Sequence, residues 1–336
     1  MTAECESKMF DLIIIGAGPA GISAAYEAKK AGLDYLVIEK GLIGNTIYQY
    51  PVGLTVFSTT NELEFNPGEL QPVREKPTRE ELLSYYVRFV LENELNVRTE
   101  ETVQSVEKND DIFQVTTDKG GYSAKAVLFA IGAMDHPRSL NVPGETLPKV
   151  HNMFHETYPW VRKDVLVVGG GNSAGEAALF LAEEGANATL AIFRKDWENN
   201  DPKQGCIKYW VKQPLEAELQ KHCLELFFLG KVVEIREKEV ELEDENGVRA
   251  VLPNDAVFVL IGSDAELSML KDLGVETERN KYGEVPIYNQ ETFETNVAGV
   301  YVVGHFTNHR HIIGAIEAPK KFIPLLAAKL NKAAAK

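Results

Sequence analysis

A chain of 336 residues is long enough for two domains, each with its own core. Its 44% hydrophobic and 25% charged content is that of a soluble globular protein, and a net charge of −15 argues against general binding to nucleic acid or an anionic membrane. Met1–Met9 is polar and acidic, unlike a signal peptide, and no apolar run reaches membrane-spanning length. Three cysteines in mixed contexts (Cys5, Cys206, Cys223) point to reduced thiols in a cytoplasmic protein.

The first predicted element is a strand, Leu12–Ile15, followed at once by GAGPAG at Gly16–Gly21. A helix is predicted over Ile22–Ala31, with Gly32 as its C-cap, and a second strand over Tyr35–Ile38. Gly16, Gly18 and Gly21 permit a tight turn and a close backbone approach to a pyrophosphate. That group would sit at a helix N-terminus, where free N–H groups and the helix dipole stabilise negative charge. Glu39, 18 residues beyond Gly21, is placed to accept hydrogen bonds from both ribose hydroxyls.

Leu63–Arg79 is rich in Pro and Glu and reads as a surface excursion. The helix Arg79–Glu94 follows, with Leu82, Leu83, Tyr86, Phe89 and Val90 near helical spacing. Val97–Tyr122 reads as a small β-meander, and strand Ala126–Ala130 runs into Gly132. A second strand–loop–helix unit then appears: Val165–Val168, GGGNSA at Gly169–Ala174, and helix Ser173–Glu184. Its next strand, Ala188–Phe193, ends not in an acid but in Arg194 and Lys195. Two cations there would neutralise a ribose 2′-phosphate, which points to NADP. One glycine motif is weak, but two, about 150 residues apart and each in context, predict two nucleotide cofactors on two domains. Strand Ala256–Ile261, the segment GVYVVGH at Gly299–His305, a helix Ile312–Ala318 and a Lys/Ala tail Lys329–Lys336 complete the chain. His305, His309 and His311 cluster, but no Cys or carboxylate lies within the cluster to complete a ligand set, so no metal is expected.

Taken in order, GAGPAG, Glu39, LFAIGAMDHP at Leu128–Pro137, GGGNSA and GVYVVGH resemble the two-dinucleotide-domain flavoproteins, in their low-molecular-weight thioredoxin-reductase-like branch. NTIYQYP (Asn45–Pro51), KPTREELLSYY (Lys76–Tyr86), DHPRSLNVPGE (Asp135–Glu145) and IKYWVKQPLEAEL (Ile207–Leu219) are more specific and resemble bacillithiol-disulfide reductases over nearly the whole chain. The resemblance implies an α/β fold of two Rossmann-like, three-layer dinucleotide-binding domains. An NADPH domain, 135–253, would be inserted into a discontinuous FAD domain, 1–134 and 254–336. It implies Gly16, Gly18, Pro19, Ala20 and Gly21 along the FAD pyrophosphate, and Glu39 and Lys40 on the ribose side. Val103 would lie beside the adenine, with Ala130 and Gly132 near the adenosine portion. Asn45, Thr46 and Tyr48 would lie towards the flavin, with Gly304, His305 and His311 in its C-terminal motif and His309 at the surface. The helix after His311 would aim its N-terminus at the flavin N1/O2 region. NADPH would meet Gly169, Gly171, Asn172, Ser173 and Glu176, with Arg194 and Lys195 on its 2′-phosphate.

Three departures bear on chemistry. Thioredoxin reductases carry CxxC just before the second glycine motif; counted back without gaps, its cysteines fall at Asn152 and His155 here, and the chain has no CxxC. A protein dithiol relay is thereby excluded. Bacillithiol-disulfide reductases place a Cys in the first glycine loop, where this chain has Ala20. The usual Asp of the C-terminal flavin motif is His305. Cys206 and Cys223 read either as redox thiols or as structural residues, and Trp210 either as a cofactor or subunit contact or as core. The implied function is an FAD-dependent, NADPH-linked oxidoreductase that reduces a low-molecular-weight disulfide such as bacillithiol disulfide. Two alternatives stand: ferredoxin/flavodoxin–NADP reductase-like electron transfer, or a non-catalytic cofactor-binding sensor. Ferredoxin–NADP reductases of this type also lack CxxC but usually carry a C-terminal aromatic over the flavin, and no aromatic follows Phe322. A homodimer is expected, with a small-molecule or small redox-protein electron acceptor.

Overall fold

The computed structural model describes residues 8–201, 207–280 and 283–334. The chain divides into two compact units. The first comprises Met1–Tyr48, Gly53–His136 and Asp264–Lys336, and the second Gln49–Val52 and Pro137–Ser263.

The first unit is built on a five-stranded parallel sheet. Its order is Val300–Val302, Val127–Phe129, Leu12–Ile15, Tyr35–Ile38, Val97–Arg98. Leu12–Ile15 lies between Val127–Phe129 and Tyr35–Ile38 and every residue of it is buried, which is why it reads LIII without alternation. Strands Val103–Asn109, Ile112–Thr117 and Gly121–Ala124 form the expected antiparallel meander, which Met9–Phe10 joins in parallel. Val97–Arg98, expected in that meander, pairs instead with Val37 and Ile38.

Three local expectations are corrected. The glycine-loop helix begins at Pro19, not Ile22, because Gly18 is its N-cap and the fixed φ of proline suits the first helical position. Leu63 and Phe65 are not surface residues: Phe65 packs 4.4 Å from the Phe89 ring and 5.0 Å from that of Tyr86. The last helix runs through Ile312–Ala334, well past Ala318 and through Pro319 and Pro324. Burial of Phe322, Ile323, Leu326 and Ala327 outweighs those breakers, and this helix packs on Pro19–Lys30, where Ser23 Oγ donates to the Ile316 carbonyl at 2.6 Å.

The second unit holds a seven-stranded sheet: Val150–His151, Ala256–Val259, Asp164–Val168, Asn187–Ile192, Leu224–Ile235, Glu239–Asp244, Arg249–Pro253. The first five strands are parallel and the last two antiparallel, so a three-stranded meander extends the sheet. Ala256–Val259 was expected beyond the inserted domain's end at Pro253. It pairs in parallel with Asp164–Val168, so the unit closes at Ser263. Among the described residues no helix is long and apolar enough to cross a membrane.

Candidate functional site

The two glycine loops share one construction. In the first unit, Gly16 N donates to the Ile38 carbonyl (2.8 Å); in the second, Gly169 N donates to the Ala191 carbonyl (3.1 Å). Gly16 sits at φ +108°, and a Cβ there would lie 2.5 Å from the Ala130 carbonyl oxygen; at Gly169 it would lie 2.3 Å from that of Leu260. A Cβ at Gly21 would meet Gly16 O at 1.8 Å, so the helix can approach the turn only without a side chain. Gly18 and Gly171, by contrast, have no protein atom within 4 Å of a Cβ. Each loop is therefore packed on its strand side and open on the other. The first helical hydrogen bonds run from Ile22 to Gly18 and from Gly175 to Gly171, so the amides before them have no intrahelical acceptor.

In the first unit Glu39 is buried, and its carboxylate accepts from Ala17 N and Gly41 N, both at 2.7 Å, one on each oxygen. That fixes its orientation and leaves a lone pair on each oxygen for a hydroxyl. Val103, which starts the strand Val103–Asn109, and Ala130, which follows Val127–Phe129, are both buried, and Gly132 lies at φ +69° with no protein atom within 4 Å of a Cβ. Lys40 is engaged by Asp135 at 2.8 Å. Asn45 opens the short helix Asn45–Tyr48, in which Thr46 and Tyr48 are exposed. Arg79, not singled out by the sequence reading, is buried and donates through Nε (3.1 Å) and Nη2 to the Tyr48 carbonyl, fixing the end of that helix. Its sequence signal is its place within the Thr78–Glu81 capping box, at the first helical position.

The C-terminal motif reaches the same loop. Gly304, at φ +103°, has room for a Cβ only 3.3 Å from the Ala20 methyl. His305 Nδ1 lies 2.6 Å from the Arg310 carbonyl. A carbonyl only accepts, so Nδ1 carries the hydrogen and Nε2 of the neutral ring is an acceptor. His305 is exposed as a whole residue, yet desolvation of its ring, then the Arg310 charge, holds its pKa below the ordinary histidine value. His311 is exposed and its carbonyl takes the Ala315 amide. His309, expected at the surface, is half-buried with its ring 5.2 Å from that of Phe293.

In the second unit Asn172 Oδ1 accepts the Lys208 amide at 2.8 Å, and Ser173 is exposed. Glu176 is half-buried on the loop helix, and burial pushes its carboxyl up to about 7. Its charge, after burial, also raises the Tyr50 phenol. Tyr50 belongs to the Gln49–Val52 segment, which is fastened by His155 Nδ1 to the Tyr50 carbonyl (3.1 Å) and by Val52 N to the His155 carbonyl (2.9 Å). Arg194 and Lys195, expected at a strand end, open the short helix Arg194–Glu198 and are exposed. Lys195 Nζ stands 5.6 Å from the Phe193 ring centroid. Arg194 is held: its Nε contacts both Glu245 oxygens at 2.8 Å, and its guanidinium lies 3.7 Å from the Phe228 ring centroid.

Cys223 is exposed and precedes the strand Leu224–Ile235, at the amino edge of the parallel strands. It borders a cavity of about 570 Å³ that Asp164, Asn187 and Asn254 also line. Gly169 follows the carboxyl end of its strand, so thiol and loop lie at opposite edges of one sheet. Cys5 and Cys206 lie outside the described residues. Trp210 packs against the core of the second unit.

Residues 13–304 match the profile of the pyridine nucleotide-disulphide oxidoreductase family. The chain is 37% identical over 293 residues to the bacilliredoxin reductase Bdr of Bacillus subtilis, covering 87% of this chain and 88% of that one. The bacillithiol disulfide reductase Bdr from Staphylococcus aureus superposes with a TM-score of 0.89 at 34% identity, over 96% of this chain and 99% of that one. A ferredoxin–NADP reductase of Ignicoccus hospitalis is 28% identical over 304 residues, 89% of this chain and 90% of that one.

Proposed function

The chain belongs to the pyridine nucleotide-disulphide oxidoreductase family, and on that premise we propose that it is an FAD-dependent oxidoreductase that oxidises NADPH and reduces a low-molecular-weight disulfide such as bacillithiol disulfide. The observation that carries the reading is the pair of like-built glycine loops, one followed by the buried acid Glu39 and the other by Arg194 and Lys195. The assignment of 23 positions to these cofactors, from Gly16 through His311, is part of the proposal, as are a homodimer and a cytoplasmic site of action.

The residues fit the groups. The open side of Gly18 gives a pyrophosphate room against the helix amides, and Glu39 is already oriented to take two ribose hydroxyls. Bound flavin supplies the two-electron exchange between nicotinamide and acceptor. The chain's own part is orientation and proton control. Neutral His305 presents Nε2 as an acceptor to a ribityl hydroxyl, the role a carboxylate would otherwise serve. Glu176 holds a proton near neutral pH beside the second loop. The chain offers no thiol at Ala20 and none at Asn152 or His155, so a bound disulfide meets no protein thiolate in the glycine loop.

That last observation favours a second reading, electron transfer to ferredoxin or flavodoxin, which needs no thiol. NADPH oxidation by the FAD-loaded protein, followed with bacillithiol disulfide and with ferredoxin as separate acceptors, decides between them. Turnover with the disulfide that survives replacement of all three cysteines by serine supports the first. Turnover with ferredoxin alone replaces it, and flavin that NADPH cannot reduce would leave the non-catalytic sensor.

A further inference from the structure

Arg194 is the residue from which the NADPH reading takes its 2′-phosphate partner, and its guanidinium is already engaged. Nε donates to both carboxylate oxygens of Glu245 at 2.8 Å, and Nη2 donates to one of them. Nη1 faces Glu198 at 3.5 Å, and the planar face rests on Phe228. The Glu245 end is equally fixed. Its amide donates to the Phe228 carbonyl at 3.2 Å, and the turn that carries it is closed by Asp244 Oδ1, which accepts from Asn246 N and Val248 N, each at 2.8 Å. The strand bearing Phe228 thus positions both partners, which are 51 residues apart in sequence.

A carboxylate that takes Nε and one Nη of an arginine uses the same two-donor edge that a phosphate prefers. Two anions cannot share it without strong repulsion. We propose that Glu245 is a specificity-determining residue of the second dinucleotide site: its carboxylate occupies the guanidinium edge that a ribose 2′-phosphate would take, so NADPH binds by displacing it while NADH leaves the pair intact. This rests on the nucleotide assignment above. The Arg194–Glu245 pair therefore subtracts from the gain of the 2′-phosphate contact and narrows the preference for NADPH over NADH. Phe228 holds the guanidinium in place once the carboxylate has left.

The test is nucleotide binding to the FAD-loaded protein, measured by titration calorimetry with NADPH and with NADH for the parent, Glu245→Gln and Arg194→Ala. An exposed ion pair of this kind corresponds to an expected tightening of NADPH by about two- to fivefold in Glu245→Gln, with NADH unchanged. Arg194→Ala should weaken NADPH and spare NADH. NADPH affinity that is unchanged or weaker in Glu245→Gln, while Arg194→Ala still weakens it, overturns the role of Glu245 and leaves the nucleotide assignment standing. Failure of the parent to bind either nucleotide overturns both.

Discussion

Gly18 separates the proposed cofactor role of the first loop from its structural role. At φ −78° and ψ −175° it is in a region that alanine adopts without strain, and an added methyl meets no protein atom within 4 Å. Alanine loses less entropy on folding, by roughly 0.4–1 kcal/mol, but is a poorer N-cap than glycine by a similar amount. Apo Gly18→Ala should therefore unfold within about 1 kcal/mol of the parent. Gly21→Ala is the contrast: its methyl would stand 1.8 Å from Gly16 O, so helix or turn must move, at a cost of about 1–3 kcal/mol or more. In Gly18→Ala the methyl instead fills the space proposed for the pyrophosphate. Losing one charge-assisted hydrogen bond of about 1.5–3 kcal/mol there weakens FAD on the order of ten- to a hundredfold. Thermal melts of flavin-stripped protein give the first number and quenching of FAD fluorescence on titration gives the second. Parental FAD affinity in Gly18→Ala, or an apo protein as unstable as Gly21→Ala, would refute the reasoning.

Two further outcomes follow from buried groups. Glu176 has its carboxyl raised by burial from 4.5 to about 7, so its contribution to stability is intact below about pH 4.5 and is lost as pH rises through about 7. Between pH 4.5 and 8 the parent should lose up to about 3 kcal/mol relative to Glu176→Gln in urea unfolding, and a pH-independent difference would show that the carboxyl is not desolvated. Arg79→Ala should cost about 2–3 kcal/mol by removing two donors from the Tyr48 carbonyl, and Arg79→Lys should restore only part of it. A lysine variant as stable as the parent would mean that the two-donor contact contributes little.

The elements that carry the glycine loops were legible because local pattern and tertiary role agree. Leu12–Ile15, between Asp11 and Gly16, and Tyr35–Ile38, between Asp34 and Glu39, are short apolar runs, and the structure gives both the bounds read from the sequence. The last helix was not, since Pro319 and Pro324 are local stop signals and only packing against Pro19–Lys30 overrides them. The end of the inserted unit was missed for a related reason: nothing in AVFV says which of two parallel sheets it joins. The Arg194–Glu245 pair was beyond reach because it depends on the register of Leu224–Ile235 with Glu239–Asp244, which brings together residues far apart in the chain. Arg79 was hidden by its ordinary surroundings in a capping box, where an arginine normally stays in solvent.

The discontinuity of the first unit sets an order of events during synthesis. Val127–Phe129 takes Val300–Val302 as its second neighbour, about 170 residues later, and Ser23 finds its acceptor at Ile316. At ribosomal rates that interval is on the order of ten seconds or more. Throughout it the nascent first unit has a strand edge without its partner and a glycine-loop helix without its covering helix. The inserted unit draws its sheet from one continuous stretch whose last strand ends at Val259, and the unit closes at Ser263, so it can fold first. A nascent chain paused only once residue 263 has left the ribosome would thus hold a folded second unit and an unfinished first one that presents an open β-edge to chaperones.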